Sequence, residues 1–281
     1  MALKLKYKIA IPLVLSLLAD LLFQGCQKVI NIDLNEAAPH IVIEGLITDR
    51  PGPYAVTISK SGSYFDQPVL PPVSGALVII SDNTGKTDTL TETKPGTYLT
   101  LKTRGIPGRT YTLKVVSENI EYTGTSTMYS HVGIDSLNLV KSQSQRMDLE
   151  GDANRVDVHC YFKDPAEKNF YRIRVVQNDT VRMQYYRLYD DQYTNGQETD
   201  LRALHASQGD VDLIELYSLD RPTYEYYRTL DDILYSNPLF GSTPANPNTN
   251  LSNGALGHFG ACAVSSRTIK ITKSMLDKVL Q

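Results

Sequence analysis

Short runs of apolar residues recur about every 10–15 residues along positions 41–130, each closed by a cluster of Gly, Pro, Asn or Asp. Ile41–Ile47 is followed by the turn segment Asp49–Pro53. Tyr54, Val56 and Ile58 then alternate with Ala55 and Thr57. Ala76–Ile80 is apolar throughout and ends on Asp82-Asn83-Thr84-Gly85, a hairpin signal. Lys94–Tyr98 opens another run, and Tyr111, Leu113 and Val115 alternate with Thr112 and Lys114. A period of two places every second side chain on one face, which suits half-buried strands and not helices. The expected fold is mainly β, with an immunoglobulin-like β-sandwich over residues 41–130. Gly45, Gly75 and Gly96 are expected at turns or bulges.

Residues 131–281 have a different texture and read as a second β-rich domain with one helix. They hold 11 of the 18 tyrosines. Val156, Val158, Cys160 and Phe162 predict one strand; Tyr171, Ile173 and Val175 predict another. Val181–Tyr189, Val211–Leu219 and Ala255–Ile271 are further strand segments. A helix is expected over 222–236, because Pro222 suits its first turn and Asn237-Pro238 stops it. Tyr226, Leu230, Ile233 and Leu234 form its apolar stripe. Residues 238–254, with three prolines and four asparagines, predict a long loop.

The first 26 residues carry an address and are not fold material. Lys4, Lys6 and Lys8 precede an apolar run from Ile9 to Ala19, within the ~7–15 residues of a signal peptide and short of the ~20 that span a bilayer. Gly25-Cys26 after this run resembles the bacterial lipobox: a small residue fits the signal peptidase and the thiol accepts diacylglycerol. Asp20 and Phe23 depart from the ideal pattern. The expected organisation is a signal peptide over 1–25, lipidation at Cys26 with palmitate-type chains, a tether over 26–40, the sandwich over 41–130 and the Tyr-rich domain over 131–281. The mature chain then carries 25 basic against 30 acidic residues, net −5. With no basic stripe, nucleic acid is not an expected partner. Cys160 and Cys262 read as buried free thiols in strands, although export permits a disulfide.

Chemistry-bearing patterns are sparse. No nucleophile elbow, zincin helix or phosphate-cradling glycine loop is present, so no enzyme, cofactor or metal site is expected. Asp190-Asp191 with Asn195 and Asp200 could offer oxygen ligands, but their spacing does not match a calcium-binding loop and reads as a solvated turn. The five histidines are scattered; a hydrolase would need His258 or His159 gathered against an acid and a nucleophile. The tyrosines carry more information, because each joins a broad apolar face to a polar tip. Tyr185, Tyr186, Tyr189 and Tyr193 surround one strand and its loop, while Tyr224, Tyr226, Tyr227 and Tyr235 sit on or beside the helix. The first four with Tyr224 and Tyr227 are the six candidate ligand- or partner-binding residues. They are expected where the 190s loop, the helix and the 238–254 loop meet. Asp88-Thr89-Leu90, Asp135-Ser136-Leu137 and Asp179-Thr180-Val181 resemble O-glycosylation acceptors of Bacteroidota exported proteins, which makes Thr89, Ser136 and Thr180 candidates for glycan.

Seven stretches in order resemble a family of Bacteroidota outer-membrane lipoproteins known only as domain of unknown function 4249. They are Cys26-Gln-Lys-Val-Ile-Asn-Ile-Asp33, Ile41-Val-Ile-Glu-Gly-Leu-Ile-Thr-Asp49, Gly52-Pro-Tyr-Ala-Val-Thr-Ile-Ser59, Val73-Ser-Gly-Ala-Leu-Val-Ile-Ile-Ser-Asp82, Gly108-Arg-Thr-Tyr-Thr-Leu113, Asp164-Pro-Ala-Glu-Lys-Asn-Phe-Tyr171 and Gly254-Ala-Leu-Gly-His-Phe-Gly-Ala261. The resemblance implies an outer-membrane lipoprotein, often encoded beside a TonB-dependent transporter, and carries no catalytic residues. The expected function is that of a non-enzymatic accessory or binding partner of such a transporter. The alternative is a glycan- or peptide-binding module. Gln27-Lys28 precedes the first acid, Asp33, so the segment after Cys26 assigns neither the periplasmic nor the cell-surface face.

Overall fold

A computed structural model describes residues 39–62, 70–142, 156–182, 187–235 and 246–281. The segments expected as signal peptide, lipidation site Cys26 and tether up to residue 38, together with Tyr185, Tyr186, Ser236 and loop positions 237–245, lie outside the described residues.

The sixteen described strands are β1 (Ile41–Thr48), β2 (Ala55–Lys60), β3 (Leu77–Asp82), β4 (Thr87–Thr89), β5 (Thr91–Lys94), β6 (Thr97–Leu99), β7 (Thr110–Ser117), β8 (Ile120–Thr127), β9 (Ser136–Lys141), β10 (Val156–Lys163), β11 (Phe170–Gln177), β12 (Thr180–Val181), β13 (Arg187–Asp190), β14 (Glu198–His205), β15 (Val211–Leu219) and β16 (Leu256–Lys270). Two helices accompany them, α1 (Arg221–Leu234) and α2 (Lys273–Leu280).

The chain is mainly β, and one nine-stranded sheet is its spine. Its order is β12-β11-β15-β16-β1-β2-β6-β5, with β13 also paired to β11. The 15-residue β16 is the hinge of this layout. Its first half runs parallel to β1, from Val42 opposite Leu256 to Thr48 opposite Cys262. Its second half runs antiparallel to β15, from Ser218 opposite Ala263 to Val211 opposite Lys270. The C-terminal strand therefore completes a sheet begun by the N-terminal strands.

Alternation along β16 assigns the layers. Odd-numbered Phe259, Ala261 and Ala263 enter a core with Ile43, Val56, Ile58 and Tyr98, against Val78 and Ile80 of β3 and Leu113 and Val115 of β7. This is the N-terminal sandwich, in which the sheet β4-β3-β7-β8 covers β1, β2 and β6. Farther along, Ile269 enters a second core with Tyr171, Ile173, Val175, Ile214 and Leu216, against Val158, Cys160 and Phe162 of β10. There the sheet β14-β10-β9 is the covering layer, and α2 packs Met275, Leu276 and Val279 beside it. Both small sheets thus cover one face of the spine. Even-numbered Cys262 and Val264 face the other way, toward Leu46, Phe170, Tyr217, Leu219, Tyr224 and Tyr227, and α1 lies over them.

Several expectations change in detail. The described ends of Val181–Tyr189 belong to β12 and β13, which pair with different parts of β11, and residues 183–186 between them lie outside the described residues. The helix α2 and strands β9 and β14 carry no strong sequence signal; α2 starts on Thr272, whose side chain accepts the Met275 N–H. Gly75 and Gly96 occupy turns with φ of +74° and +70°. Gly45 does not: it lies inside β1, where a Cβ would stand 3.1 Å from Val56 Cγ2 and 3.3 Å from a Phe259 ring carbon. Close packing, not a turn, requires glycine there. Cys160 and Cys262 are free and fully buried. No helix among the described residues is long and apolar enough to cross a membrane.

Candidate functional site

The site follows from how α1 is seated. Asp220 caps the helix: its side chain accepts the Thr223 N–H at 3.0 Å, and Pro222 occupies the first turn. The same carboxylate accepts the Ser126 hydroxyl and the Thr127 N–H, both at 2.8 Å. Ser126 Oγ in turn accepts the Ala261 N–H at 2.9 Å. One buried side chain therefore ties the helix start to β8 and β16. A helix of 14 residues depends on such tertiary contacts more than on its own propensity. Its inward face carries Thr223, Tyr224 and Tyr227, whereas Leu234 of the expected apolar stripe is 61% exposed. Tyr226 and Leu230 of that stripe do face the sheet.

Between α1 and the sheet lies a groove of about 350 Å³, lined by Glu44, Leu46, Tyr226, Tyr227, Leu230 and His258 among others. Its floor is the parallel β1–β16 ladder, in which Glu44 is the direct partner of His258. His258 is 5% exposed. Its Nε2 lies 3.1 Å from Thr223 Oγ1, while Nδ1 is buried and meets no partner among the described residues. Burial drives the imidazole pKa down to about 4, because taking a cation out of water is costly. The ring is therefore neutral at physiological pH. Tyr226 stacks on it with centroids 4.7 Å apart and planes 14° from parallel. Burial, then the Glu44 carboxylate, pushes the Tyr226 phenol up to about 12. Tyr227 meets Tyr226 edge-on at 5.3 Å and holds the Arg172 guanidinium 4.3 Å from its own ring centroid. Arg172 also approaches the Tyr217 ring, at 5.6 Å, so the groove wall is braced from β11 and β15.

Two glycines make this floor. At Gly257, φ is +89° and a Cβ would overlap the Ile43 carbonyl; glycine there lets β16 approach β1 closely immediately before His258. At Gly260 a Cβ would stand 3.2 Å from His258 Nε2 and 3.0 Å from Leu46 Cδ1.

The four candidate tyrosines among the described residues do not form one surface. Tyr224 and Tyr227 do lie under and beside the helix, and Tyr224 stacks on Phe170 at 4.7 Å. Tyr189 points to the opposite face of the sheet, where it stacks on Tyr171 at 6.4 Å and bonds Thr194. It pairs with Tyr171 in the ladder, and that parity turns it toward the second core. Tyr193 is 85% exposed. The expected meeting of segments occurs in part. Asp190, Lys168, Phe170, Arg221 and Glu225 line a hollow of about 340 Å³ beside α1. The Asn248 N–H donates to Thr229 Oγ1 on the helix at 2.9 Å. Asn250 then donates to the Thr125 and Phe259 carbonyls, which fastens the described end of that loop to β8 and β16.

The acidic turn is structural: Asp190 pairs with Lys168, fully buried Asp191 accepts the Asn169 N–H at 2.6 Å, and Asp200 pairs with His159 at 2.6 Å. Of the glycan candidates, Thr89 and Thr180 are exposed and Ser136 is half-buried. Asp88, before Thr89, is buried and accepts three consecutive N–H groups from Leu101 to Thr103.

Reading by residue type missed Glu44, Tyr226 and His258 as one cluster. A signal for two of them was present. Glu44 is the only charge inside Ile41–Ile47, and His258 is the only polar side chain inside Ala255–Val264. These are two of the motif stretches quoted above, and β1–β16 pairing sets them side by side.

No curated protein matches the sequence. Among solved structures, the chicken interferon gamma receptor alpha chain is similar at 10% identity, over 65% of this chain and 90% of that one, with a TM-score of 0.19. A likeness of that size carries no argument about fold or function. The family described as a domain of unknown function (DUF4249) matches residues 27–268, which includes both strands of the groove floor and the helix above them, and the chain belongs to that family.

Proposed function

We propose that this protein is a lipid-anchored, non-enzymatic outer-membrane lipoprotein that serves as accessory partner to a TonB-dependent transporter. In this reading Cys26 holds the chain on the membrane, the nine-stranded sheet is a rigid platform, and the groove under α1 is the recognition face. The observation that supports it most is the groove itself. An aromatic wall stands over a buried ring nitrogen, His258 Nδ1, that has no partner among the described residues. A buried polar atom without a partner costs about 1–3 kcal/mol, a cost that a bound partner would remove. The test is affinity purification of the native lipoprotein after gentle solubilisation of outer membranes, with partners identified by mass spectrometry. Recovery of a TonB-dependent transporter, lost on substitution of Tyr226 and Glu44, is the expected result; a lipoprotein recovered alone counts against the reading.

A second reading, a module for a glycan or peptide ligand, is favoured by the groove's volume, which lies within the ~300–1,000 Å³ of small-ligand sites. Thermal-shift screening separates the two, since a ligand that binds only the folded state raises its stability without a transporter.

A further inference from the structure

We infer that the hollow between the β3–β4 hairpin and the loop over residues 101–109 binds a phosphate monoester, whose dianion is held by Lys86, Lys102, Arg104 and Arg109. The hollow is separate from the groove under α1 and does not depend on the reading of that groove.

The loop is fixed by the chain itself. Asp88 Oδ2 accepts the Leu101, Lys102 and Thr103 N–H groups at 3.0, 2.8 and 2.8 Å, and the Thr103 hydroxyl at 2.9 Å. The Gly105 N–H donates to the Thr48 carbonyl at 3.1 Å, and a Cβ on Gly105 would stand 2.2 Å from that oxygen. The Ile106 N–H donates to the Tyr111 hydroxyl oxygen at 2.7 Å. These bonds pin the loop to β1, β4 and β7, so its backbone needs no ordering when a ligand arrives. The hollow beside it holds about 420 Å³, within the ~300–1,000 Å³ of small-ligand sites.

The same bonds occupy the carboxylates and leave cations over. Asp88 is committed to its four donors. Asp82 pairs with Arg109 at 2.5 Å and also accepts the Thr84 hydroxyl and the Thr84 and Lys86 N–H groups. Burial alone would raise the Asp82 pKa, but these hydrogen bonds outweigh it and hold the carboxyl at about 2, so it stays ionised. Lys86, Lys102 and Arg104 line the same hollow, and their side chains meet no carboxylate among the described residues. Four cations against two carboxylates leave the lining at +2, in a chain whose net charge is −3. A phosphate monoester carries about −2 at pH 7 and three strong acceptor oxygens, which matches that excess. A carboxylate or a sulfate ester supplies a single negative charge and leaves one cation uncompensated. Ile106, 39% exposed in the lining, offers apolar surface to the organic part, which a free phosphate ion lacks. Phosphorylated small molecules and headgroups such as phosphatidic acid share this chemistry.

The test uses the folded, ¹⁵N-labelled mature protein without its lipid, titrated with phenyl phosphate, phenyl sulfate and inorganic phosphate at pH 7.5. Phenyl phosphate should give saturable movement of the Lys86, Thr103, Arg104 and Ile106 amides. Phenyl sulfate and inorganic phosphate should each bind about tenfold more weakly. Lys102→Gln and Arg104→Gln, both at exposed positions, should each leave the amide spectrum folded and weaken phenyl phosphate about tenfold. Lys114→Gln, on β7 outside the lining, should change nothing. Co-sedimentation with phosphatidylcholine vesicles carrying phosphatidic acid, and not with those carrying phosphatidylglycerol, assigns a lipid headgroup as the source; binding of phenyl phosphate without co-sedimentation assigns a soluble ester. Equal binding of phenyl sulfate overturns the dianion assignment, and equal binding of inorganic phosphate overturns the ester. Amide movements confined to other parts of the chain, no saturable movement with any probe, or full affinity in both lysine-102 and arginine-104 variants overturn the site, and leave the groove under α1 untouched.

Discussion

His258 makes the stability of this protein depend on pH in a way that a single substitution exposes. Burial holds its pKa at about 4 in the folded chain, whereas an unperturbed histidine titrates near 6.5. Between those values the unfolded chain binds a proton that the folded chain does not. Folding stability therefore rises with pH through this window, is complete above ~6.5, and is lost as pH falls toward ~4. A shift of ~2.5 units corresponds to about 3 kcal/mol, and at 5% exposure solvent screens little of it. The slope is masked in the native protein by Asp212, a fully buried carboxylate whose pKa burial raises to about 6. Its contribution runs the other way: folding is penalised once the carboxylate ionises, so stability falls as pH rises from ~4 to ~6. His258→Gln removes one slope and leaves the other. Urea unfolding followed by far-ultraviolet circular dichroism suits a chain with no tryptophan, at pH 4, 5, 6 and 7. The variant should gain about 3 kcal/mol on the native protein between pH 7 and pH 4. A difference that stays constant across that range would refute a buried, neutral His258.

Asp212→Asn should stabilise the chain by up to about 3 kcal/mol above pH 7 and by little near pH 4, measured by the same unfolding series. Gly257→Ala, at φ +89° against the Ile43 carbonyl, should cost about 3 kcal/mol or more and strip hydrogen-exchange protection from the β1–β16 ladder. Cys26→Ser should move the protein from the membrane to the soluble fraction on cell fractionation, because acyl chains contribute ~0.8 kcal/mol per buried CH₂ to membrane binding.

The β architecture was legible because strand burial leaves a period of two in the sequence. Val156–Phe162 and Tyr111–Val115 read as strands from alternation alone, and Pro222 with Asn237-Pro238 bounded α1 within two residues. Partner choice left no such trace. Nothing in Leu256–Lys270 announces that its first half joins the N-terminal strands in parallel and its second half joins β15, because ladder hydrogen bonds are made by backbone that every residue shares. The site was hidden for the same reason. Tyr224 and Tyr227 were identified by type, but Glu44 and His258 stand 214 positions apart and meet only through that pairing. Sequence proximity sets Tyr189 beside Asp190, which faces α1, but ladder parity turns Tyr189 to the other side of the sheet.

The central claim, that the groove under α1 is the recognition face, is tested most directly by photocrosslinking in native outer membranes. A benzophenone-bearing residue replaces Leu230, in the groove wall, or Thr87, exposed on the distant β4. A discrete adduct from position 230, absent from position 87 and lost when Glu44→Gln is added, is the expected result. Equal adducts from both positions, or none from position 230, would contradict it.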